Sequence, residues 1–170
     1  MTLGVVCLVL NMYLYWQRTN PQRLSFSGQK TPKIAAYSHA KNPAEYLIIK
    51  DLRIDLPIYP AVVRNQEWET TTLGVSHLSN SPIPGEPGNS VIYGHNWQNL
   101  LGQFVNIKPG QEITIEYKDR SRKTFIVDKT AVVEPDQVSI LAPSEDTRIT
   151  LYTCTGFLDS KRFVAVAIAK

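Results

Sequence analysis

The sequence predicts an all-β fold, a closed or nearly closed, antiparallel-rich barrel of about eight strands with short helical turns, preceded by an N-terminal helix and a linker. From residue 46 onward, short runs of β-branched and aromatic residues alternate with turn residues. The connections are short, and only residues 100–105 have the pattern of a helical turn. Many short strands with almost no helix favour a barrel, because closure removes the exposed sheet edges.

The chain divides into three segments, residues 1–16, 17–44 and 45–170. Residues 2–16 are uncharged and almost wholly apolar, with aromatic residues at their end like those of a membrane interface. As a helix they span about 22 Å, short of the roughly 30 Å hydrocarbon core of a bilayer. We therefore interpret residues 1–16 as part of a transmembrane anchor that continues upstream. Residues 17–44 have no sustained period and are predicted to be a basic linker.

The predicted strands all lie in the third segment. They are residues 46–50, 52–56, 61–63, 90–93, 112–117, 123–129, 131–133, 148–152 and 162–168. A turn is expected at residues 55–60, where Pro57 and Pro60 interrupt the pattern. The runs 112–117 and 123–129 flank a charged turn and are predicted to form a hairpin.

Composition and charge limit the functions that this segment can have. The chain has 170 residues, 43% of them hydrophobic and 19% charged. At this length a chain buries about 70% of its unfolded surface, so its core needs neither disulfides nor metals. Residues 17–44 carry five basic and no acidic residues, whereas residues 45–170 carry 13 basic and 15 acidic ones, a net charge of −2. That charge excludes a nucleic-acid-binding domain of the usual basic kind.

Three residues with complementary chemistry lie at the ends of predicted strands. Cys154 and His95 each follow a strand and Arg162 begins one, so we expect them to meet at one rim of the barrel. A thiol needs a base such as imidazole to become the nucleophilic thiolate, and a guanidinium donates to a developing oxyanion. A cysteine beside a strand is more often a buried small residue, so the prediction depends on all three together. Asn96 is expected on the opposite strand face and gets no role as a third catalytic group.

The motifs around these residues resemble those of sortases, the cysteine transpeptidases of Gram-positive-type cell walls. The sequence TLYTC at residues 150–154 matches the TLxTC signature of that family. Other stretches are similar to the segment that carries the sortase histidine and to the region that follows it: residues 74–77, 84–89, 91–95, 104–110 and 112–115. The resemblance covers residues 45–170 in order.

This resemblance implies a sortase-type barrel on the outer side of the cytoplasmic membrane, held by a single-pass N-terminal helix. Cys154 would attack the Thr–Gly carbonyl of an LPxTG-like sorting signal and form a thioacyl intermediate. His95 would exchange protons with the leaving and attacking amines, and Arg162 would orient the peptide and stabilise the oxyanion. The acceptor would be an amine of a peptidoglycan precursor or a pilin lysine. By the same analogy, Thr153 and Leu151 are expected to contact the substrate.

Two further functions remain compatible with the same residues. A membrane-bound cysteine endopeptidase would release its thioacyl product to water, and a non-catalytic peptide-binding barrel would not need the thiol at all. An L,D-transpeptidase is excluded because the chain lacks a Ser-x-Gly-Cys motif.

No cofactor and no metal site is predicted. The three histidines and Cys154 lack the spacing of metal ligands. His77 fits a histidine satisfied by local hydrogen bonds better than a site residue. Four loop carboxylates are calcium candidates by residue type alone: Glu67, Glu69, Glu145 and Asp146.

Overall fold

The computed structural model describes residues 2–19, 24–26, 42–64 and 67–170. Helix α1 runs over Thr2–Thr19. The strands are β1 (Ala44–Ile49), β2 (Ile54–Ala61), β3 (Val63–Arg64), β4 (Glu67–Trp68), β5 (Val75–Leu78), β6 (Gly88–Gly94), β7 (Glu112–Tyr117), β8 (Arg122–Val133), β9 (Thr147–Thr155) and β10 (Lys161–Ala169). Short 3-10 turns lie at Lys50–Leu52, Phe104–Asn106, Val138–Leu141 and Phe157–Asp159.

The predicted all-β, eight-stranded closed barrel is confirmed. Its strands follow one another around the barrel in the order β1-β2-β5-β6-β9-β10-β8-β7, with β7 closing onto β1, while β3 and β4 form a separate two-stranded sheet. Six of the eight neighbouring pairs are antiparallel, and two, β2 with β5 and β6 with β9, are parallel. The parallel seam between β6 and β9 is important below because it aligns the ends of these two strands.

The interior of the barrel is an apolar core to which nearly every strand contributes. Alternate residues of a strand face opposite sides of a sheet, so each strand sends one set of side chains inward. Phe104, from the turn that follows β6, enters this core and meets the ring of Phe163 edge-on at 5.4 Å. Leu151 of β9 is also fully buried there.

The turn predicted at residues 55–60 is wrong, because β2 runs through it. The first half of β2 pairs with β1 as far as Pro57, and its second half pairs with β5 from Ile58 onward. Each half therefore has one neighbour and one free edge, and a proline without an N–H is tolerated at a free edge. Strand β5 was not predicted, and β8 is one continuous strand where the sequence predicts two runs.

Helix α1 exposes its apolar surface. Every side chain that the structure describes on it, from residue 4 to residue 16, is exposed. Within the described parts of the chain, no helix has both the length and the apolarity needed to span a bilayer.

Most of the predicted linker lies outside the described residues. Residues 24–26 are the exception between α1 and the start of the barrel region at residue 42. Leu24 and Phe26 are buried against the outside of the barrel, so this part of the predicted linker is a packed segment.

Candidate active site

Cys154 lies on the outer face of the barrel, one residue before the end of β9. Its neighbour Thr153 points the other way, is fully buried, and donates a hydrogen bond from Oγ1 to the Gly94 carbonyl at 2.8 Å. Strand alternation therefore places the Cys154 side chain on the same face as Tyr152, two residues earlier. Both belong to a second apolar cluster, outside the barrel interior.

The register of three adjacent strands brings the predicted site residues together. Arg162 of β10 is directly opposite Cys154 in the antiparallel ladder, where facing Cβ atoms are about 4.5–5.5 Å apart. On the other side of β9, Gly94 is level with Thr153 in the parallel ladder. One residue further along, His95 comes level with Cys154. The structure thus places His95, Cys154 and Arg162 in a row across β6, β9 and β10.

This row is enclosed by side chains. Cys154 and Arg162 are each 3% exposed, and His95 is 5% exposed. Next to Cys154, the rings of Tyr152 and Tyr93 stack at 5.3 Å, and Trp68 meets Tyr93 edge-on at the same distance. Burial raises the pKa of both tyrosines, so they remain neutral hydrogen-bond donors at physiological pH.

Segment 24–26 covers one side of this enclosure. Phe26 packs edge-on against Tyr152 at 4.9 Å and also contacts Trp68. The Leu24 carbonyl accepts a hydrogen bond from the Tyr152 hydroxyl at 3.0 Å. The Ser25 carbonyl accepts one from Nη2 of Arg162 at 2.9 Å. The segment therefore contributes both apolar cover and a direct contact with a site residue.

The guanidinium of Arg162 is held on backbone carbonyls. Besides its bond to Ser25, it donates from Nη1 to the carbonyls of Asp159 and Lys161, each at 3.0 Å. Its Nε is buried and has no hydrogen-bond partner among the described residues. A buried donor without a partner is costly, so this N–H is suited to a ligand oxygen.

An aromatic ring packs against the His95 imidazole, and a nearby carboxylate affects its pKa. Its imidazole stacks on the indole of Trp97, with the ring centres 4.6 Å apart. Burial lowers the pKa of His95, and the negative charge of Asp159 opposes this effect. A neutral imidazole in this setting can accept a proton from a thiol and return it to an amine.

The other predicted residues take structural positions. Thr153 and Leu151 are fully buried, and Leu151 packs in the barrel core, so neither side chain lies on the face that carries Cys154. Their contact with substrate stays a prediction. A Cβ on Gly94 would lie 3.2 Å from both Leu101 and Val75, so the glycine permits close packing at the end of β6. His77 contacts the Pro82 carbonyl at 3.0 Å and Ser81 Oγ at 3.3 Å.

Sequence reasoning missed the pair Asn96 and Asp159. Nδ2 of Asn96 donates a hydrogen bond to Oδ1 of Asp159 at 2.8 Å. Strand β6 ends at Gly94, so the alternation of side chains along a strand does not determine the direction of the Asn96 side chain. Segment 24–26 was not predicted to pack on the barrel either. The signal available in the sequence was the pair of apolar residues Leu24 and Phe26, two positions apart in an otherwise polar stretch.

Two of the carboxylates considered as calcium ligands bind other groups of the protein. Asp146 makes a two-pronged ion pair with Arg148, and Glu69 bonds the Val62 N–H at 3.1 Å. Within the described ranges, no group of three or more His, Cys, Asp or Glu side chains is arranged to hold a metal ion.

Comparison with known proteins identifies the family. The model of the sortase domain family matches residues 47–169. The chain belongs to the sortase family. Among curated proteins, this sortase is similar to sortase A of Listeria monocytogenes serovar 1/2a (strain ATCC BAA-679 / EGD-e), with 29% identity over 97 residues. That match covers 55% of this chain and 43% of the relative, so it spans less than half of the relative's length.

Solved structures share the fold of this sortase. Sortase C1 of Streptococcus agalactiae, in its complex with MTSET, superposes with a TM-score of 0.68 and 24% identity, covering 94% of this chain and 87% of that one. Sortase C-1 of Actinomyces oris has a TM-score of 0.68 and 23% identity, covering 94% and 93%. At these identities the likeness is one of fold.

Proposed function

We propose that this sortase is an extracytoplasmic cysteine transpeptidase, held at the cytoplasmic membrane by its N-terminal helix. It would cleave an LPxTG-like sorting signal between Thr and Gly and transfer the product to an amine of the cell wall or of a pilin subunit. The observation that carries this proposal is the row of His95, Cys154 and Arg162 across three adjacent strands.

The chemistry proceeds in two balanced steps. The Cys154 thiol gives its proton to His95, and Sγ attacks the Thr carbonyl carbon. The carbon–nitrogen bond to Gly breaks, His95 returns the proton to the departing amine, and a thioester remains on Cys154. An acceptor amine then attacks the thioester, loses a proton through His95, and forms a new amide while the thiol is released.

Arg162 stabilises charge and orients the peptide in these steps. Nη1 is fixed on two backbone carbonyls, that of Asp159 in the β9–β10 loop and that of Lys161 at the start of β10, so the guanidinium is held in place before substrate arrives. Its buried Nε has no partner among the described residues and is the donor available to a substrate oxygen. Preorganised donors of this kind contribute more than donors that must reorient during the reaction.

The proposal is tested with the full chain, an LPxTG-type peptide and a glycine-based amine, followed by mass spectrometry. We expect cleavage after Thr and an amine-dependent conjugate. Cys154→Ala should abolish both products, since the nucleophile is gone. Cys7→Ala, which changes the exposed cysteine of α1, is the matched control and should keep the parent activity.

Other outcomes would indicate the alternative functions. Cleavage that needs Cys154 but gives no conjugate at any amine concentration identifies an endopeptidase. Peptide binding that survives Cys154→Ala, without cleavage of any peptide in a library of sorting-like sequences, identifies a binding barrel. Either result overturns the transpeptidase proposal.

A further inference from the structure

The loop between β9 and β10 carries an acidic residue that is linked to both partners of Cys154. The carboxylate of Asp159 accepts a hydrogen bond from Nδ2 of Asn96 at 2.8 Å, and Asn96 directly follows His95. The backbone carbonyl of the same residue accepts a hydrogen bond from Nη1 of Arg162 at 3.0 Å. Asp159 therefore joins the end of β6, which presents His95, to the start of β10, which presents Arg162.

The backbone at Asp159 has an unusual conformation. Leu158 and Asp159 have φ angles of 51° and 59°, two successive left-handed residues that are not glycine. Side chains disfavour this region, although Asp and Asn tolerate it best. Such conformations persist where surrounding contacts hold them. The hydrogen bonds from Asn96 and Arg162 are contacts of this kind.

The Asp159 carboxylate is also the charge that acts on His95. It raises the pKa of the imidazole, against the lowering caused by burial. The other ionisable groups around this enclosure, among the residues that the structure describes, include Cys154 on β9, Arg162 on β10 and Glu69, whose charge acts on Tyr93. Burial keeps Tyr93 and Tyr152 neutral. Asp159 is thus the acidic group whose charge opposes the effect of burial on the imidazole.

We propose that Asp159 is a positioning residue of the active site: Asn96 holds its carboxylate near His95, and its backbone carbonyl holds the guanidinium of Arg162. The inference rests on the proposed transpeptidase function and adds a residue to its machinery. When His95 takes the thiol proton, the Asp159 carboxylate stabilises the imidazolium that forms. The same loop keeps Arg162 opposite Cys154.

The test uses the full chain with Cys7→Ala, so that Cys154 is the one thiol left. Two variants are compared. Asp159→Asn removes the negative charge but keeps an oxygen that can accept the hydrogen bond from Asn96. Asn96→Ala keeps the charge of Asp159 but removes the hydrogen bond that holds its carboxylate. The control is Asp51→Asn, because the exposed Asp51 carboxylate also accepts an amide hydrogen bond, from Gln111 at 2.9 Å. Two quantities are measured: the rate of Cys154 alkylation by iodoacetamide against pH, and kcat and KM with peptide and amine.

Loss of the charge should make the thiolate harder to form. We expect the alkylation profile of Asp159→Asn to move to higher pH by about 0.5–1 unit. We expect kcat to fall about tenfold while KM changes less than about twofold, because the charge acts on the imidazolium and not on the bound peptide. Asn96→Ala should change both readouts in the same direction, and Asp51→Asn should match the parent.

The outcomes separate this inference from the proposed function. Parent-like profiles and kcat in both variants overturn the positioning role, whatever the parent's activity. A uniform loss of alkylation at every pH, together with a lower free energy of unfolding, also overturns it, since that pattern marks a structural role. If the parent forms no conjugate but Asp159→Asn still shifts the alkylation profile, the transpeptidase proposal fails and the positioning role stands.

Discussion

At the scale of single residues, two histidines show how burial sets protonation. Burial lowers the pKa of both His77 and His95 from the usual value of 6.5, and each has one opposing influence, a backbone hydrogen bond to Pro82 for His77 and the Asp159 charge for His95. The unfolded chain therefore binds protons on these residues at higher pH than the folded chain does. It follows that acidification below about pH 6.5 destabilises the fold.

Replacing His77 isolates one of these two contributions. We expect His77→Gln to reduce the dependence of the unfolding free energy on pH between about pH 5 and 7, by at most about 1.4 kcal/mol per pH unit for one group. Glutamine keeps an amide N–H that can donate to the Pro82 carbonyl. Urea unfolding at pH 5, 6 and 7 measures the slope, and a slope equal to that of the parent contradicts the assignment.

Residue type and position select the members of the candidate site, but they do not identify the residues that support them. Cys154, His95 and Arg162 could be picked from residue type and position at strand ends. The contact between Asn96 and Asp159 could not, because it joins two loops separated by 63 positions and depends on left-handed backbone angles that no local pattern encodes. Contacts of this kind depend on the tertiary structure, so the sequence alone does not predict them.

At the scale of elements, segment 24–26 connects the N-terminal region to the site. Phe26 packs on the ring of Tyr152, beside Cys154, and the Ser25 carbonyl accepts a hydrogen bond from Arg162. This carbonyl takes one of the two N–H groups of Arg162 Nη2. We therefore expect access to Cys154 to depend on how firmly the segment packs.

Weakening that packing should expose the thiol. We expect Phe26→Ala to raise the alkylation rate of Cys154 several-fold, because the edge-on contact of Phe26 with Tyr152 and its tilted contact with Trp68 are lost. An aromatic pair of this kind contributes about 0.5–1.5 kcal/mol. The rate is measured in the Cys7→Ala background. Leu73→Ala, which removes an apolar side chain that is 70% exposed, is the control. Equal rates in Phe26→Ala and the parent would show that the segment does not restrict access.

Strand prediction succeeded where local pattern decides the outcome. β7 has the predicted bounds, because alternation and a charged turn define its hairpin with β8. It failed in β2 because two different neighbours share that strand, which leaves a free edge beside each proline. The change of neighbour along β2 results from the closed barrel, and a short stretch of sequence does not predict it.

At the scale of the whole molecule, the barrel with its packed core is preceded by the largely apolar helix α1. Residues 4–16 of α1 are exposed along their length, and the large apolar ones among them are 41–76% exposed. Soluble surfaces rarely carry a continuous apolar area of this kind without a binding partner. This surface supports the proposal that α1 holds the sortase at a membrane.

A charge placed on the helix should weaken this attachment. We expect the full chain to float with phospholipid vesicles in a density gradient and Val9→Asp to reduce the bound fraction strongly. A central aspartate costs about 3 kcal/mol of insertion, equivalent to about a hundredfold in partitioning. Val132→Asp, at an apolar position of the barrel that is 56% exposed, is the matched control. Equal flotation of the two variants would contradict anchoring through α1.

The stacking of His95 on Trp97 gives the molecule a built-in optical reporter. An excited indole loses its energy to a protonated imidazole in contact with it far more readily than to a neutral one. Of the three tryptophans in the chain, Trp97 is the one in ring contact with His95. We therefore expect the emission of Trp97 to fall when His95 becomes protonated, which would let the protonation of this imidazole be followed in the unlabelled protein without a substrate.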